Sequence, residues 1–138
     1  DVVGLHVPHA PRGGIVEVVA TLQSDPGAVA TLVEVARAAG LTALACRDRP
    51  GYIVDYLVLA HLGDAVRMVD DSYATQEDVD TAMRLGCGYA DGPFAMLAAV
   101  GADDVRSVLS HLAAATHLPS LAPSPLLDEL ASLGPSHT

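Results

Sequence analysis

One stretch, from Pro50 to Asp71, constrains this chain more than any other. Thirteen of the eighteen residues from Tyr52 to Val69 are apolar, broken only by Asp55, His61, Gly63, Asp64 and Arg67. At about 100° per residue, Gly63, Asp64 and Arg67 fall on one helical face, with His61 at its margin. Asp55 falls nearly opposite, inside a stripe of Val58, Leu59, Leu62, Val66 and Val69. A helix this apolar is covered on most sides and serves as the strut of a core or an interface. It carries a carboxylate into that apolar stripe, which is costly unless the group is paired, hydrogen-bonded or protonated.

The residues before the strut alternate between strand and helix patterns. Residues 2–7 and 14–21 are rich in β-branched side chains and bounded by Pro and Gly, as strands are. Pro8 to Gly14 between them is a loop. A hairpin centred on Pro11-Arg12 pairs His6 with Glu17, which brings the two Cβ atoms within about 4.5–5.5 Å. Ser24-Asp25-Pro26 starts a helix that runs to about Ala39 and stops at Gly40, and Leu41 to Cys46 is a third strand.

After Pro50 only helices are expected. Thr75-Gln-Glu-Asp78 has the form of a capping box and opens a short helix ending near Gly86. Asp91-Gly92-Pro93 opens another, ending at Gly101. A further helix, from about Ala102 to Thr116, carries Val105, Val108, Leu109 and Leu112 at core spacing. From Leu118 the chain is rich in Pro and Ser, with one helix between Pro125 and Leu133 and a frayed end.

Size and charge exclude several classes. A chain of 138 residues is one domain's worth, with a single core. Seven basic residues, all Arg, stand against seventeen acidic ones, giving a net charge of −10 that disfavours nucleic acid and anionic membrane surfaces. No apolar run approaches the length that spans a bilayer. The chain starts directly in strand-like sequence, so no signal peptide is expected. Cys46 and Cys87 lack metal-type spacing and are expected as free thiols of a cytoplasmic protein.

Three places invite chemistry. A carboxylate on one imidazole nitrogen of His6 would fix its tautomer and raise the basicity of the other, as a general base acting on an alcohol requires. The plainer reading of His6 and Glu17 is a half-exposed strand pair. His6-x-x-His9 offers two metal ligands with no third donor nearby in the sequence, so no metal is expected. Asp55 is either a structural first-turn carboxylate held by backbone N–H groups and the helix dipole, or a site residue. Gly86-Cys-Gly-Tyr-Ala-Asp-Gly92 has glycines at the wrong spacing for a phosphate loop and follows a helix, so it reads as a helix–helix turn.

Taken together, Gly4-Leu-His6, Ile15-Val-Glu-Val-Val19, Asp48-Arg-Pro-Gly-Tyr-Ile-Val54, the run from Ala74 to Phe94 and Val100 to Val105 resemble the 3-hydroxyacyl-CoA dehydrogenase family. The resemblance covers roughly residues 2 to 110. It implies a mainly α (α+β) fold: the last strands of a Rossmann-type sheet, then an all-helical domain of the 6-phosphogluconate dehydrogenase C-terminal type. By this division residues 1–48 are the end of the NAD-binding domain, 49–118 the substrate-side and dimerisation domain, and 119–138 a Pro/Ser-rich tail. The implied activity is NAD-dependent interconversion of an L-3-hydroxyacyl-CoA and a 3-ketoacyl-CoA, in fatty-acid metabolism, by a homodimer. By position His6 is the base, Glu17 its orienting partner, and Asp55 stands where the family has an asparagine near substrate and histidine.

Two departures stand out. The family follows its histidine with two aromatics, an asparagine and a proline, where this chain has Val7, Pro8, His9 and Ala10. An asparagine amide donates a hydrogen bond, whereas an ionised Asp55 only accepts, and beside a developing oxyanion it would repel charge. Protonation of Asp55, or pairing with His6, would relieve this. The family's glycine-rich dinucleotide loop and catalytic serine are absent from the chain and are expected upstream of residue 1, so the chain alone is expected neither to bind NAD nor to turn over. Two other readings remain: a non-catalytic scaffold or dimerisation module, and a dehydrogenase of a free hydroxy acid.

Overall fold

A computed structural model describes residues 2–9 and 14–134. The chain divides into two compact units, Asp1–Tyr56 and Leu57–Thr138. The first contains β1 (Val3–His6), β2 (Ile15–Ala20), α1 (Pro26–Ala38) and β3 (Thr42–Arg47), in the sheet order β1-β2-β3. Strands β1 and β2 are antiparallel with His6 opposite Glu17, the register read from the loop's symmetry, and β2 and β3 are parallel. The hairpin's centre, Pro11-Arg12, lies outside the described residues.

Strand β2 is central and is buried on both faces. Val16 and Val18 point to one side and form a core with Val33, Ala36 and Ala43, flanked by Val3, Val29 and Leu32. Alternation turns Glu17 and Val19 to the other side. There Gly4 lies opposite Val19, and a Cβ on Gly4 would stand 3.1 Å from the valine Cβ. Asp25 caps α1, accepting from the N–H groups of Gly27 at 2.8 Å and Ala28 at 3.1 Å, with Pro26 in the first turn.

The strut is α2 (Val54–Asp70), which begins in the first unit and continues through the second. Its stripe is as the periodicity predicts: Asp55, Leu59, Leu62 and Val66 are buried. Gly63 departs from that reading. It is buried rather than part of the polar face, and a Cβ there would come within 2.9 Å of Leu109. The residue is small because another helix passes close, which a count of polar positions does not register.

The second unit adds α3 (Gln76–Cys87), α4 (Pro93–Val100), α5 (Ala102–Thr116), a single 3-10 turn (Pro119–Leu121) and α6 (Pro125–Ser132). Thr75 and Asp78 form the capping box of α3, each side chain accepting from the other's backbone N–H. The segment after Thr116 is tied down by two charged residues of α2. Arg67 donates to the carbonyls of Ser120 at 2.7 Å and Ala122 at 3.4 Å, and Asp70 accepts from the N–H of Leu126 at 3.2 Å. Leu121, Leu127 and Ala131 are buried as a result.

The turn between α3 and α4 is structural. Asp80 of α3 accepts from the N–H groups of Phe94 at 2.7 Å and Ala95 at 3.2 Å, capping α4 from outside because Gly92 has no side chain to do so. A Cβ on Gly92 would overlap Asp80 at 2.3 to 2.5 Å, so glycine at 92 and aspartate at 80 are one device.

Candidate active site

Four side chains of the first unit converge: His6 at the end of β1, His9 just beyond it, Glu17 in the middle of β2, and Asp55 in the first turn of α2. Glu17 is fully buried, with a carboxylate oxygen 2.8 Å from His6 Nδ1. Its other oxygen accepts from the N–H groups of Ile53 at 3.0 Å and Val54 at 3.1 Å. Such a group is costly to bury unless satisfied. Here the donors of α2's first turn satisfy one oxygen and the imidazole satisfies the other. Glu17 therefore caps α2 and orients His6 at once.

The first-turn N–H groups at Ile53 and Val54, which a purely structural Asp55 would take, belong to Glu17. Asp55, 2% exposed, faces the two histidines. One oxygen accepts from the backbone N–H of His9 at 2.9 Å; the other lies 2.6 Å from His9 Nδ1 and 3.2 Å from His6 Nε2. Tyr52, held at φ 48° in the turn before α2, sets its ring 4.6 Å from that of His6.

The bonding fixes what His6 can do. Its Nδ1–H donates to Glu17, so the Nε2 lone pair faces outward and towards Asp55. A lone pair and a carboxylate oxygen 3.2 Å apart repel unless a proton or another cation lies between them. His6 Nε2 thus faces a carboxylate oxygen at a distance that a proton or another cation can bridge.

The sequence reading of His6-x-x-His9 requires correction on one point. It found no third donor nearby, but the fold brings one in from 46 residues away: ligating atoms of His6, His9 and Asp55 all lie within 4.8 Å of one another. Sequence reasoning also passed over the link between His9 and Asp55. Its only signal was that both positions depart from the family pattern.

The two cysteines are free thiols. Cys46 on β3 is pushed above the usual thiol range by burial first, then by the carboxylates of Glu17 and Asp48. Among the described residues no helix is long and apolar enough to cross a membrane.

A small mixed sheet, a helical unit that shares its longest helix, and an imidazole braced by a buried carboxylate define a mainly α domain carrying the last strands of a larger sheet. Residues 51–137 match the 3-hydroxyacyl-CoA dehydrogenase C-terminal domain. The chain is similar to human mitochondrial hydroxyacyl-coenzyme A dehydrogenase, 37% identical over 130 residues, which are 92% of this chain and 41% of that protein. It is also similar to 3-hydroxybutyryl-CoA dehydrogenase of Mycobacterium tuberculosis, 35% identical over 138 residues, 96% of this chain and 47% of that one. The crystal structure of M. tuberculosis FadB2 superposes with a TM-score of 0.87 at 33% identity, covering 95% of this chain and 47% of that chain. The chain belongs to the 3-hydroxyacyl-CoA dehydrogenase family, and it spans less than half the length of these relatives.

Proposed function

We propose that this chain is the substrate-side half of an NAD-dependent L-3-hydroxyacyl-CoA dehydrogenase, a cytoplasmic homodimer of fatty-acid metabolism, and that it supplies the proton-transfer group. Residues 1–48 then close the NAD-binding domain, 49–118 form the substrate-side and dimerisation domain, and 119–138 are a Pro/Ser-rich tail with one short helix. The observation that carries the reading is the buried Glu17 carboxylate at 2.8 Å from His6 Nδ1, with its second oxygen pinned by two backbone donors. This is the support a general base needs: one tautomer, one orientation, and a stabilised imidazolium. His6 Nε2 takes the hydroxyl proton in oxidation and returns it in reduction. Glu17 holds the ring and balances its charge, and Asp55 stands beside the nitrogen that exchanges the proton.

A dinucleotide phosphate needs a turn that lets the backbone approach closely and free N–H groups at a helix start. The β2–α1 connection, Thr21-Leu-Gln-Ser-Asp25, has no glycine, and Asp25 occupies the first N–H groups of α1. The hydride partner, NAD, is therefore assigned to residues outside this chain. Alone, the chain should neither bind NADH nor reduce acetoacetyl-CoA, and micromolar NADH binding in a calorimetric titration would refute that. Leu57, Tyr73 and Leu85, all exposed, suit a homodimer face. Sedimentation showing only monomer at tens of micromolar would count against it.

The direct test is a longer protein containing this chain, assayed with acetoacetyl-CoA and NADH. His6→Gln should lower kcat about 10²–10⁴-fold with little change in KM. Activity within a few-fold of the parent would remove His6 from the reaction. One observation favours a non-catalytic parent instead: the Asp55 oxygen 3.2 Å from His6 Nε2 occupies the side from which a hydroxyl must approach. Asp55→Asn would then gain activity. Whether the substrate is a thioester or a free hydroxy acid is decided by assaying both with the same protein.

A further inference from the structure

We propose that His6, His9 and Asp55 bind a divalent transition-metal ion of the zinc type. The donor set is two imidazoles and one carboxylate, the kind that holds zinc while leaving a coordination position open. Zinc–nitrogen and zinc–oxygen bonds of about 2.0–2.2 Å in a tetrahedron separate the donor atoms by about 3.3–3.5 Å. His6 Nε2 and the Asp55 oxygen are 3.2 Å apart, His9 Nδ1 and the same oxygen 2.6 Å, and all three donors lie within 4.8 Å. The ring of His9 therefore has to withdraw by less than 1 Å relative to Asp55 to admit an ion.

The surroundings are those of a built site. The other ring nitrogen of His6 donates to the buried Glu17, the carboxylate–histidine arrangement that orients metal-bound imidazoles. The second oxygen of Asp55 is fixed by the backbone N–H of His9, which ties two of the three donors together. Two buried carboxylates, Glu17 and Asp55, meet at this cluster, a setting that suits a bound cation. The Asp55 side chain is 3% exposed and that of His9 41%, so His9 is the more accessible of the two donors.

The binding claim stands independently of the function proposed above. Its consequence, that the ion competes with the substrate hydroxyl for His6 Nε2, rests on that reading. Calorimetric titration of this chain with Zn²⁺, in a buffer that does not chelate it, should show one saturable site with Kd below about 100 µM. Co²⁺ substitution should give visible bands of a nitrogen and oxygen donor set without thiolate charge transfer, which excludes the cysteines as ligands. His9→Ala and Asp55→Asn should each weaken binding about tenfold or more, and Glu17→Gln about 10-fold. His111→Ala, at an exposed helical histidine that contacts the Ser107 carbonyl, should leave it unchanged. Circular dichroism and thermal unfolding establish that each variant is folded. If Asp55→Asn does not fold, the His9→Ala variant decides alone, since His9 lies outside the regular elements.

Absence of saturable binding, or equal affinity in the folded variants, would overturn the site. In the longer protein Zn²⁺ should inhibit acetoacetyl-CoA reduction in the wild type and about tenfold less in His9→Ala. Binding without inhibition would overturn the competition alone. An inactive parent that still loses Zn²⁺ on His9→Ala would overturn the function and leave the metal site standing.

Discussion

The two units each contain a carboxylate that reaches across to the start of a helix. In the first, Glu17 takes the N–H groups of Ile53 and Val54; in the second, Asp80 takes those of Phe94 and Ala95. The chemistry is the same: a negative group on consecutive unpaired donors at the positive end of a helix. What differs is where the second oxygen goes. Asp80 commits one oxygen to each N–H, so both are turned to the helix end. Glu17 serves both N–H groups with one oxygen and presents the other to an imidazole. A capping carboxylate is thus scaffolding until it has an acceptor left over and a titratable group to aim it at.

The same carboxamide swap at both positions should separate these roles. In Glu17→Gln the amide N–H₂ faces His6 Nδ1 and donates, which forces the ring proton to Nε2 and removes the base. In the longer protein kcat should fall about 10³–10⁴-fold, the size of a wrong-tautomer defect, with stability lower by about 1–2 kcal/mol. If Glu17→Gln costs stability but leaves kcat intact, Glu17 is a second Asp80 and the distinction fails. Gly92→Ala comes next. Its Cβ meets Asp80 at 2.3 to 2.5 Å, and overpacking of this kind costs about 1–3 kcal/mol. Denaturant unfolding of this chain measures it. Asp80→Asn keeps the oxygen for one N–H and turns an amide towards the other, costing about 1 kcal/mol. It should leave kcat within a few-fold of the parent, and a large loss would break the comparison from the other side.

How far each device was legible in the sequence follows from its geometry. Strand pairing about a short loop is symmetric, so His6 and Glu17 could be matched by counting from Pro11-Arg12. Helix ends were legible because Asp25, Pro26, Thr75 and Pro93 carry local hydrogen-bonding or dihedral preferences. The contacts of His9 with Asp55, of Glu17 with Ile53 and Val54, and of Arg67 with Ser120 span 46, 36, 37 and 53 positions. No periodicity encodes such separations; only the folded chain supplies them. Gly63 was misread for a different reason: a missing side chain looks polar to a pattern but is close-packed in the fold.

The finest probe of the comparison is the pair of thiols, one in each unit. Cys46 is half-buried on β3 near Glu17 and Asp48, and Cys87 is exposed at the end of α3. Alkylation needs the thiolate. Burial and two negative neighbours push the Cys46 thiol upward, so at a pH near 8 less of it is ionised and it should react more slowly than Cys87. As pH rises the Cys46 rate should go on climbing past the usual thiol range. Mass spectrometry of iodoacetamide-treated chain gives both rates in one sample. Glu17→Gln removes the larger of the two charge effects but not the burial, so it should speed Cys46 modestly. Cys87 supplies the internal reference. Since burial is the larger cause of the Cys46 shift, a much greater acceleration would mean that the variant has loosened β3 rather than removed a charge. No acceleration at all would mean that burial and Asp48 alone account for the slow thiol, and that Glu17 exerts no charge effect on β3.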